Sequence, residues 1–180
     1  DGSLTITAAS DVMESEGDFV INGGTVEGTS DDEGIESKNV LTVNGGTITL
    51  SCVDDGFNAT SDITINDGKI SITASTGDAI DSNGSMTING GTIIAYGGMA
   101  PEGALDCDMQ ESVINGGTIV AVGDENSAIS EESKQASVLL GSYTKGSNIA
   151  IVDTSGTGVY AFTLDESRSN IVVSVAGLTS

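Results

Sequence analysis

Acidic side chains recur in this chain at a spacing that predicts two parallel rows of carboxylates, an arrangement suited to binding a divalent cation. Eight of the ten positions in these rows are carboxylates. One row comprises Asp11, Glu33, Asp55, Asp78 and then Gly103, and the other comprises Glu14, Glu36, Asn58, Asp81 and Asp106. Further acids stand immediately upstream of the first row, at Asp32, Asp54 and Glu102.

Such rows carry an electrostatic cost, because like charges stacked about 4.8 Å apart repel each other wherever they are partly desolvated. The chain has 5 Lys and Arg against 27 Asp and Glu, so too few basic residues are available to remove that cost. Calcium fits, because it binds about six to eight oxygens at roughly 2.3–2.6 Å and can therefore bridge neighbouring coils. The predicted ligands are Asp11, Glu14, Glu33, Glu36, Asp54, Asp55, Asn58, Asp78, Asp81 and Asp106.

Other cations fit this pattern less well. Magnesium needs bonds of about 2.1 Å and a strict octahedral geometry. Zinc is disfavoured because the chain has no His and its two cysteines fall in different parts of the repeat. The alternative to a bound ion is an acidic edge whose side chains spread into water and keep the protein soluble.

The two rows follow from a sequence repeat that is centred on an Asn-Gly-Gly-Thr motif. Its asparagines are separated by 22, 22, 23 and 26 residues, and they are Asn22, Asn44, Asn66, Asn89 and Asn115. A period of this length is typical of a solenoid, in which equivalent residues of successive coils stack in columns. The second Gly of each motif is expected to adopt a positive φ. The asparagines are expected to form a hydrogen-bonded ladder inside one corner of the coil.

Each repeat contains three segments whose apolar residues alternate with small polar ones, which is the pattern of a half-buried strand. The first precedes the asparagine, and the second follows the Gly-Gly turn with an inward column of Val26, Ile48, Ile70, Ile93 and Ile119. The third carries the acids around an inward column of Met13, Ile35, Phe57, Ile80, Leu105 and Ile129.

A coil of about 22 residues with three strands predicts an all-β fold, a right-handed parallel β-helix. A left-handed hexapeptide helix needs about 18 residues per coil, and a calcium roll needs nine-residue units that this sequence lacks. After Ser130 the repeat ends, and segments 137–140, 148–152, 159–164 and 170–175 predict the strands of a terminal cap. We therefore expect coils in residues 1–133 and a C-terminal β cap in 134–180, packed on the same domain.

The formal net charge of −22 excludes the simplest nucleic-acid and anionic-membrane functions, because both partners are themselves negative. No apolar run approaches the length of about 18 residues that a membrane-spanning helix requires. The first residues form a strand-like run, Leu4-Thr5-Ile6-Thr7, without a basic and apolar leader, so we expect a mature or trimmed product.

Several segments together resemble a known family. They are Asp55-Gly56-Phe57-Asn58-Ala59, Gly77-Asp78-Ala79-Ile80-Asp81-Ser82-Asn83-Gly84, Ala104-Leu105-Asp106, and the run from Asn115 to Gly123. They are similar to the carbohydrate-binding, calcium-containing β-helix domain of bacterial cell-surface proteins, formerly a domain of unknown function and related in fold to polysaccharide lyases. The closing strands, from Ser137 to Leu178, are also similar. The chain departs from the family at Gly103 and Ser127, which replace acids, and at Asp67, which replaces a Gly.

The resemblance implies calcium in the Asp-Gly-x-Asn/Asp loops and binding of cellulose or an acidic plant polysaccharide, without known turnover. We therefore predict a non-catalytic, calcium-stabilised polysaccharide-binding module that is extracellular or on the cell surface. The alternative is a structural subunit of a calcium-dependent surface fibre, in which an open N-terminal coil accepts the edge of a neighbouring copy.

Two further functions are disfavoured, and the sugar-binding residues remain unassigned. Pectate lyases combine calcium with a basic residue that abstracts a proton, but Lys38 and Lys69 do not stand on the acidic strand and Arg168 lies in the cap. Ice binding needs continuous outward Thr columns, and these are interrupted. The aromatic candidates for sugar stacking are Tyr96, Tyr143 and Tyr160, which are expected to be exposed, and the alternative for each is a ring that simply packs against its neighbours.

Overall fold

The computed structural model describes residues 2–108, 111–152 and 154–178. About 51 % of the chain is strand, and parallel strands stack about 22 residues apart to form a solenoid of about five turns. The predicted all-β parallel β-helix is thereby confirmed. Within the described ranges, no helix is long and apolar enough to cross a membrane.

Three parallel sheets form the sides of the coil. The long sheet follows the Gly-Gly corners and contains β1 (Ser3–Ala8), β4 (Thr25–Ser30), β7 (Thr47–Cys52), β10 (Lys69–Ala74), β13 (Thr92–Tyr96) and β16 (Thr118–Gly123). The acidic sheet contains β2 (Met13–Ser15), β5 (Ile35–Ser37), β8 (Phe57–Ala59), β11 (Ile80–Ser82) and β14 (Leu105–Cys107). The motif sheet contains β3 (Phe19–Ile21), β6 (Leu41–Val43), β9 (Ile63–Ile65), β12 (Met86–Ile88) and β15 (Val113–Ile114).

In-register pairing turns each inward apolar position into a continuous buried column. In the long sheet, for example, Ile70 pairs with Ile48 on one side and with Ile93 on the other. These three side chains are at most 1 % exposed. Because every coil contributes one residue of similar size to the same column, the core fills without large voids.

The inward apolar column of the acidic sheet is confirmed from Met13 to Leu105, but the predicted position of its last member is wrong. Ile129 forms a parallel bridge with Ser112, at the entrance to the motif sheet, and not with Leu105. The carbonyl of Leu105 accepts the backbone N–H of Ser127, and the N–H of Leu105 donates to the side chain of Asn126, so Asn126 is the residue that lies beside Leu105. The repeat has therefore already lost its register at this coil, because the sixth turn gives way to the cap.

The corner between the motif sheet and the long sheet has the predicted backbone conformation. The second Gly of each motif has a positive φ, with values of 92°, 106°, 130°, 91° and 105° at Gly24, Gly46, Gly68, Gly91 and Gly117. Left-handed values of this kind are accessible to Gly at no steric cost. The five glycines therefore set the turn in every coil.

The predicted asparagine ladder is present, but it lies on the surface of the corner and not inside it. Each side-chain amide donates to the amide oxygen of the previous coil, at 2.8 Å for Asn44 to Asn22 and at 2.7 Å for Asn66 to Asn44. The first four asparagines are exposed, and Asn115 is half-buried. The exposed amides can remain outside because four bonds link successive asparagines without needing the core. The amide oxygen of Asn115, at the end of the ladder, is buried and has no partner among the described residues.

The C-terminal cap closes the long sheet with antiparallel strands. β20 (Asn170–Ser174) pairs with β16, and β17 (Ser137–Leu140) pairs with β20. A hairpin of β18 (Asn148–Val152) and β19 (Gly158–Thr163) packs its apolar residues in one cluster with Val120 and Val122. This explains why the outward positions of the long sheet change from Thr and Ser to apolar residues in the last two coils.

The loop that precedes β8 is too tight for a side chain at Gly56, which yields a stability prediction. A Cβ at this position would lie 2.1 Å from Cγ2 of Ile72 and 2.5 Å from the carbonyl oxygen of Ala79. We expect Gly56→Ala to lower the free energy of unfolding by about 1–3 kcal/mol through overpacking. Thermal unfolding measures this, at about 2–4 °C per kcal/mol in a domain of this size.

Gly17→Ala is the matched control, because a Cβ there would meet nothing within 4 Å. Its melting temperature should stay within about 2 °C of the parent, since an added methyl in open space costs little. Equal melting temperatures for the two variants would contradict the packing described for the loop.

Candidate metal centre

The acidic sheet aligns the second predicted row of side chains in exact register. We call it the strand row; Glu14 pairs with Glu36, Glu36 with Asn58, Asn58 with Asp81, and Asp81 with Asp106. Each residue is the central one of a three-residue strand whose flanking residues face the core in the inner coils. The alternation of a strand therefore directs all five side chains to the outer face of the sheet.

The first predicted row lies in the loops that enter the acidic sheet, and we call it the loop row. Its carboxylates accept hydrogen bonds from the backbone of the following coil. Asp55 Oδ1 accepts the N–H of Asp78 at 2.8 Å, and Asp78 Oδ1 accepts the N–H of Gly103. These bonds stabilise the charged form of each carboxylate without any metal, a contribution that the sequence pattern did not reveal.

Three groups of carboxylates are close enough to share a cation. Within each group, one oxygen from every residue lies within 4.8 Å of the others. The groups are Asp11 with Glu14 and Glu36, Asp11 with Asp32 and Glu33, and Asp78 with Asp81 and Asp106. Oxygens on opposite sides of one calcium ion are about 4.6–5.2 Å apart, so the spacing in all three groups fits calcium.

Lys38 neutralises part of the first group although it does not stand on the acidic strand. Lys38 follows β5 directly, and its ammonium contacts Glu36 and lies 3.4 Å from Glu14. The long side chain of Lys38 folds back over β5, so this residue pairs with two members of the strand row although it lies outside the strand. These contacts, that with Glu36 above all, raise the pKa of Lys38 above its ordinary value.

The group of Asp78, Asp81 and Asp106 is the strongest candidate for a metal site. In the described part of the chain, no lysine or arginine lies within 4.0 Å of these carboxylates. Asp78 accepts the N–H of Gly103 and also shares a hydrogen bond with the carboxyl group of Glu102. The hydroxyl of Ser127 lies 2.9 Å from Asp106 Oδ1, so Oδ2 of Asp106 can face a cation.

Burial and mutual repulsion make this group costly to ionise without a cation. The pKa of Asp78 is raised to about 8 and that of Asp81 to about 7. Burial is the largest cause of both shifts, and the negative charge of Asp106 contributes to both. Burial likewise raises the pKa of Asp55 to about 6 and that of Glu33 to about 7. A bound divalent cation would favour the ionised form of these groups and reverse such shifts.

Three predicted ligands lie outside the three groups. Asp54 is exposed, and Asp55 and Asn58 are partly buried in the central coil. Asp55 is nevertheless close enough to Asp78 and Asp81 for its charge to raise both of their pKa values. The central coil therefore contributes electrostatically to the candidate centre, and the roles of these residues as ligands remain predictions.

The tyrosines expected to be exposed for sugar stacking differ in their surroundings. Tyr143 is 39 % exposed, whereas Tyr96 and Tyr160 are half-buried beside the apolar cluster of the cap. The ring centroid of Tyr160 lies 6.0 Å from that of Phe162. Tyr96 and Tyr160 are therefore not the exposed platforms expected, because each ring packs against the apolar cluster of the cap.

The raised carboxylate pKa values predict that the ion-free protein loses stability as the pH rises. The pKa of Asp78 and of Asp81 is 3.8 in the unfolded chain, and it is about 8 for Asp78 and about 7 for Asp81 in the folded protein. The folded state therefore binds more protons between about pH 4 and pH 8, so its stability falls across this window. With chelator, the melting temperature should be higher at pH 5 than at pH 8, and calcium should raise it mainly at pH 8.

A matched pair of variants separates this effect from general repulsion among the acids. Asp78→Asn/Asp81→Asn removes two charges from the centre, and Glu131→Gln/Glu132→Gln removes two exposed charges elsewhere. The first pair should flatten the pH dependence and abolish most of the calcium effect, while the second should preserve both. If the two double variants respond identically, Asp78 and Asp81 are not the cause of the loss of stability between about pH 4 and pH 8.

Comparison with known proteins adds an independent result. The model of the family described as carbohydrate-binding domain-containing protein matches residues 1–153. Neither the curated proteins nor the solved structures yielded a match. The matched segment covers the predicted coils, the candidate metal centre and the first strands of the cap. This chain belongs to the carbohydrate-binding domain-containing protein family.

Proposed function

We propose that this protein is a non-catalytic module that binds extracellular polysaccharide, either cellulose or an acidic plant or cell-surface polysaccharide, and that calcium stabilises it. Membership of the carbohydrate-binding family across 153 residues is the observation that carries the proposal. The shape of the fold supports it, because stacked parallel sheets present long faces that suit a chain-like ligand.

Calcium has a defined place in this proposal. Asp78, Asp81 and Asp106 would hold the ion, and their oxygens are close enough together to do so. When bound, the ion supplies positive charge between coils, where the side chains otherwise repel each other. It would also reduce the repulsion between this protein, with its net charge of −22, and an acidic polysaccharide.

The state of the basic residues supports a binding role and not a lyase. Proton abstraction needs a base whose pKa lies near the working pH. Lys38 is the basic residue that contacts the acidic rows, and its pKa is raised by its pairing with Glu36 and Glu14. A lysine in this state remains protonated and serves as a counterion.

The composition supports a location outside the cell or on its surface. A strongly acidic protein needs abundant cations for its carboxylates, and calcium is suited to that role where it is plentiful. The same charge disfavours nucleic acid and anionic membranes as partners. The partner proposed here is therefore a polysaccharide.

A calcium-dependent surface fibre remains the second candidate, and the open edges of the first coil favour it. β1, β2 and β3 are the terminal strands of their sheets. Unpaired edges of parallel strands can accept strands from a neighbouring copy, which would give head-to-tail growth and a homo-oligomer or filament. Negative-stain microscopy with and without chelator distinguishes this function from that of a monomeric module.

Calcium affinity tests the metal part of the proposal. Titration calorimetry of the ion-free protein at pH 8 should show saturable binding. Asp78→Asn/Asp81→Asn should weaken that binding by about tenfold or more, because two of the three anionic ligands are lost. Asn retains an amide oxygen for the N–H of Gly103, so the loop can stay intact. Unchanged affinity in this variant would place calcium elsewhere.

Sedimentation with insoluble cellulose and with calcium-gelled polygalacturonate tests the carbohydrate function. We expect the parent protein to co-sediment with at least one of these polysaccharides in the presence of calcium. Binding to cellulose, which stays insoluble without calcium, should weaken in chelator at pH 8, where the acidic coils repel most strongly. Unsaturated uronide products should not accumulate on soluble pectate. Absence of binding to every polysaccharide tested, or steady product formation, would overturn the proposal.

A further inference from the structure

A cleft lies where the fourth and fifth coils of the long sheet meet the cap. It has a volume of about 180 Å³, and its polar lining comes from two distant parts of the chain. The solenoid supplies Thr73, Ser75 and Tyr96, and the cap supplies Asp165, Glu166 and Arg168. The volume is below the roughly 300–1,000 Å³ of sites for drug-sized molecules, so it suits a single ring.

Tyr96 provides the apolar surface of this cleft. It ends β13, and its backbone pairs with Thr73 on one side and with Val122 on the other. The ring is half-buried and packs beside the apolar cluster of the cap. A ring held in this way offers a rigid aromatic face at little entropic cost, which is what stacking against the C–H face of a sugar requires.

Arg168 is the only arginine of the chain, and it has unused hydrogen-bonding capacity inside the cleft. Its side chain is 11 % exposed, and Nη1 donates to Glu166 Oε2 at 3.1 Å and to the carbonyl of Ser167 at 3.0 Å. Nη2 makes a long contact of 3.4 Å with the carbonyl of Gly97. Nε is buried and has no partner within the described residues, although a guanidinium carries five N–H donors.

Because Nε is buried, the donors of Arg168 that can serve a ligand in the cleft are the N–H groups of Nη1 and Nη2. Glu166, the partner of Nη1, is 60 % exposed, so its side chain can rotate to admit a ligand. A planar guanidinium can donate to two oxygens at once. Vicinal hydroxyl groups of a pyranose present two such oxygens.

The charge of the cleft decides between neutral and acidic sugars. Asp165 and Glu166 are both exposed at its rim, and Arg168 is the one basic residue in its lining. The two acidic side chains outnumber the single basic one, so the cleft has a net negative charge and would repel a uronate carboxylate. Carboxylates accept hydrogen bonds from neutral hydroxyl groups, and such charge-assisted bonds are stronger than neutral ones.

We propose that this cleft binds one neutral hexopyranose residue of a polysaccharide, with the sugar ring on Tyr96 and its hydroxyl groups on Arg168, Asp165 and Glu166. The assignment rests on the polysaccharide-binding function proposed above and names a ligand class for it. The cap residues of the cleft lie outside residues 1–153, the segment matched by the family model. The site therefore depends on a part of the chain that the family match does not cover.

The surface beyond the cleft indicates how a bound polysaccharide would lie along the long sheet. The outward column that contains Tyr96 continues through Thr73, Ser51, Thr29 and Thr7, one residue in each earlier coil. All four are exposed and carry hydroxyl groups. A chain held at Tyr96 would run along this column toward the first coil, with a hydrogen-bonding group about every 4.8 Å.

Titration of soluble oligosaccharides in saturating calcium tests the inference, with binding followed by calorimetry and by saturation-transfer NMR. The probes are a neutral β-1,4-glucan hexasaccharide, a neutral mannan hexasaccharide and a hexagalacturonide. We expect at least one neutral probe to bind the parent protein. Tyr96→Ala should weaken that binding about tenfold or more, and Tyr96→Phe should restore it to within about twofold because the ring is retained.

Asp165→Asn keeps the test decisive if Tyr96→Ala does not fold, because Asp165 is exposed and its replacement leaves the cleft shape intact. Asp165→Asn should weaken binding of the neutral oligosaccharide about tenfold, and it should raise the melting temperature by no more than a few degrees. Glu131→Gln is the matched charge control and should bind like the parent. Any binding of the hexagalacturonide should be unaffected by Tyr96→Ala.

The outcomes separate failure of the cleft from failure of the module. If the parent sediments with polysaccharide but neutral probes bind equally to the parent, Tyr96→Ala and Asp165→Asn, the cleft assignment is wrong and the module function stands. The same conclusion follows if the hexagalacturonide alone binds. If the parent binds neither polysaccharides nor oligosaccharides, both the cleft and the module function are wrong.

Discussion

In-register stacking of equivalent residues is the constraint on which the rest of this structure depends. Each coil repeats its predecessor about 22 residues later, so every side chain faces a copy of itself or a close substitute. For apolar residues such as Ile48 and Ile70 the constraint is favourable and builds the core. For the carboxylates of the acidic sheet it is unfavourable, since Asp81 and Asp106 pair directly across one strand spacing.

The structure meets this repulsion differently along the solenoid. In the first coils the ammonium of Lys38 contacts both Glu14 and Glu36 and offsets part of their negative charge. In the middle coils the backbone N–H of Asp78 donates to Asp55. Neither device is sufficient in the group of Asp78, Asp81 and Asp106, where burial raises the pKa of Asp78 to about 8 and the pKa of Asp81 to about 7. That end of the acidic sheet therefore has most to gain from a divalent cation, and the cap with its cleft lies next to the same coils.

Features that repeat could be predicted from the sequence, and features that occur once could not. The Asn motif and its spacing identified the coils, the glycine turns and the register of the acidic rows, because each recurs with the period of the fold. The reach of Lys38 was missed because it depends on the rotamers of one long side chain. Ile129 was misplaced because the period fails at the last coil. Tyr96 and Arg168 line the same cleft because the cap folds back on the coils. A sequence repeat carries no information about how the cap folds.

We propose that a divalent cation allows the carboxylates of Asp78, Asp81 and Asp106 to remain charged and close together. Anomalous scattering from crystals grown at pH 8 in abundant calcium tests this proposal most directly. We predict a calcium peak within about 2.3–2.6 Å of oxygens from all three residues. Well-ordered carboxylates at this position that contact water alone, with no peak between them, would contradict it.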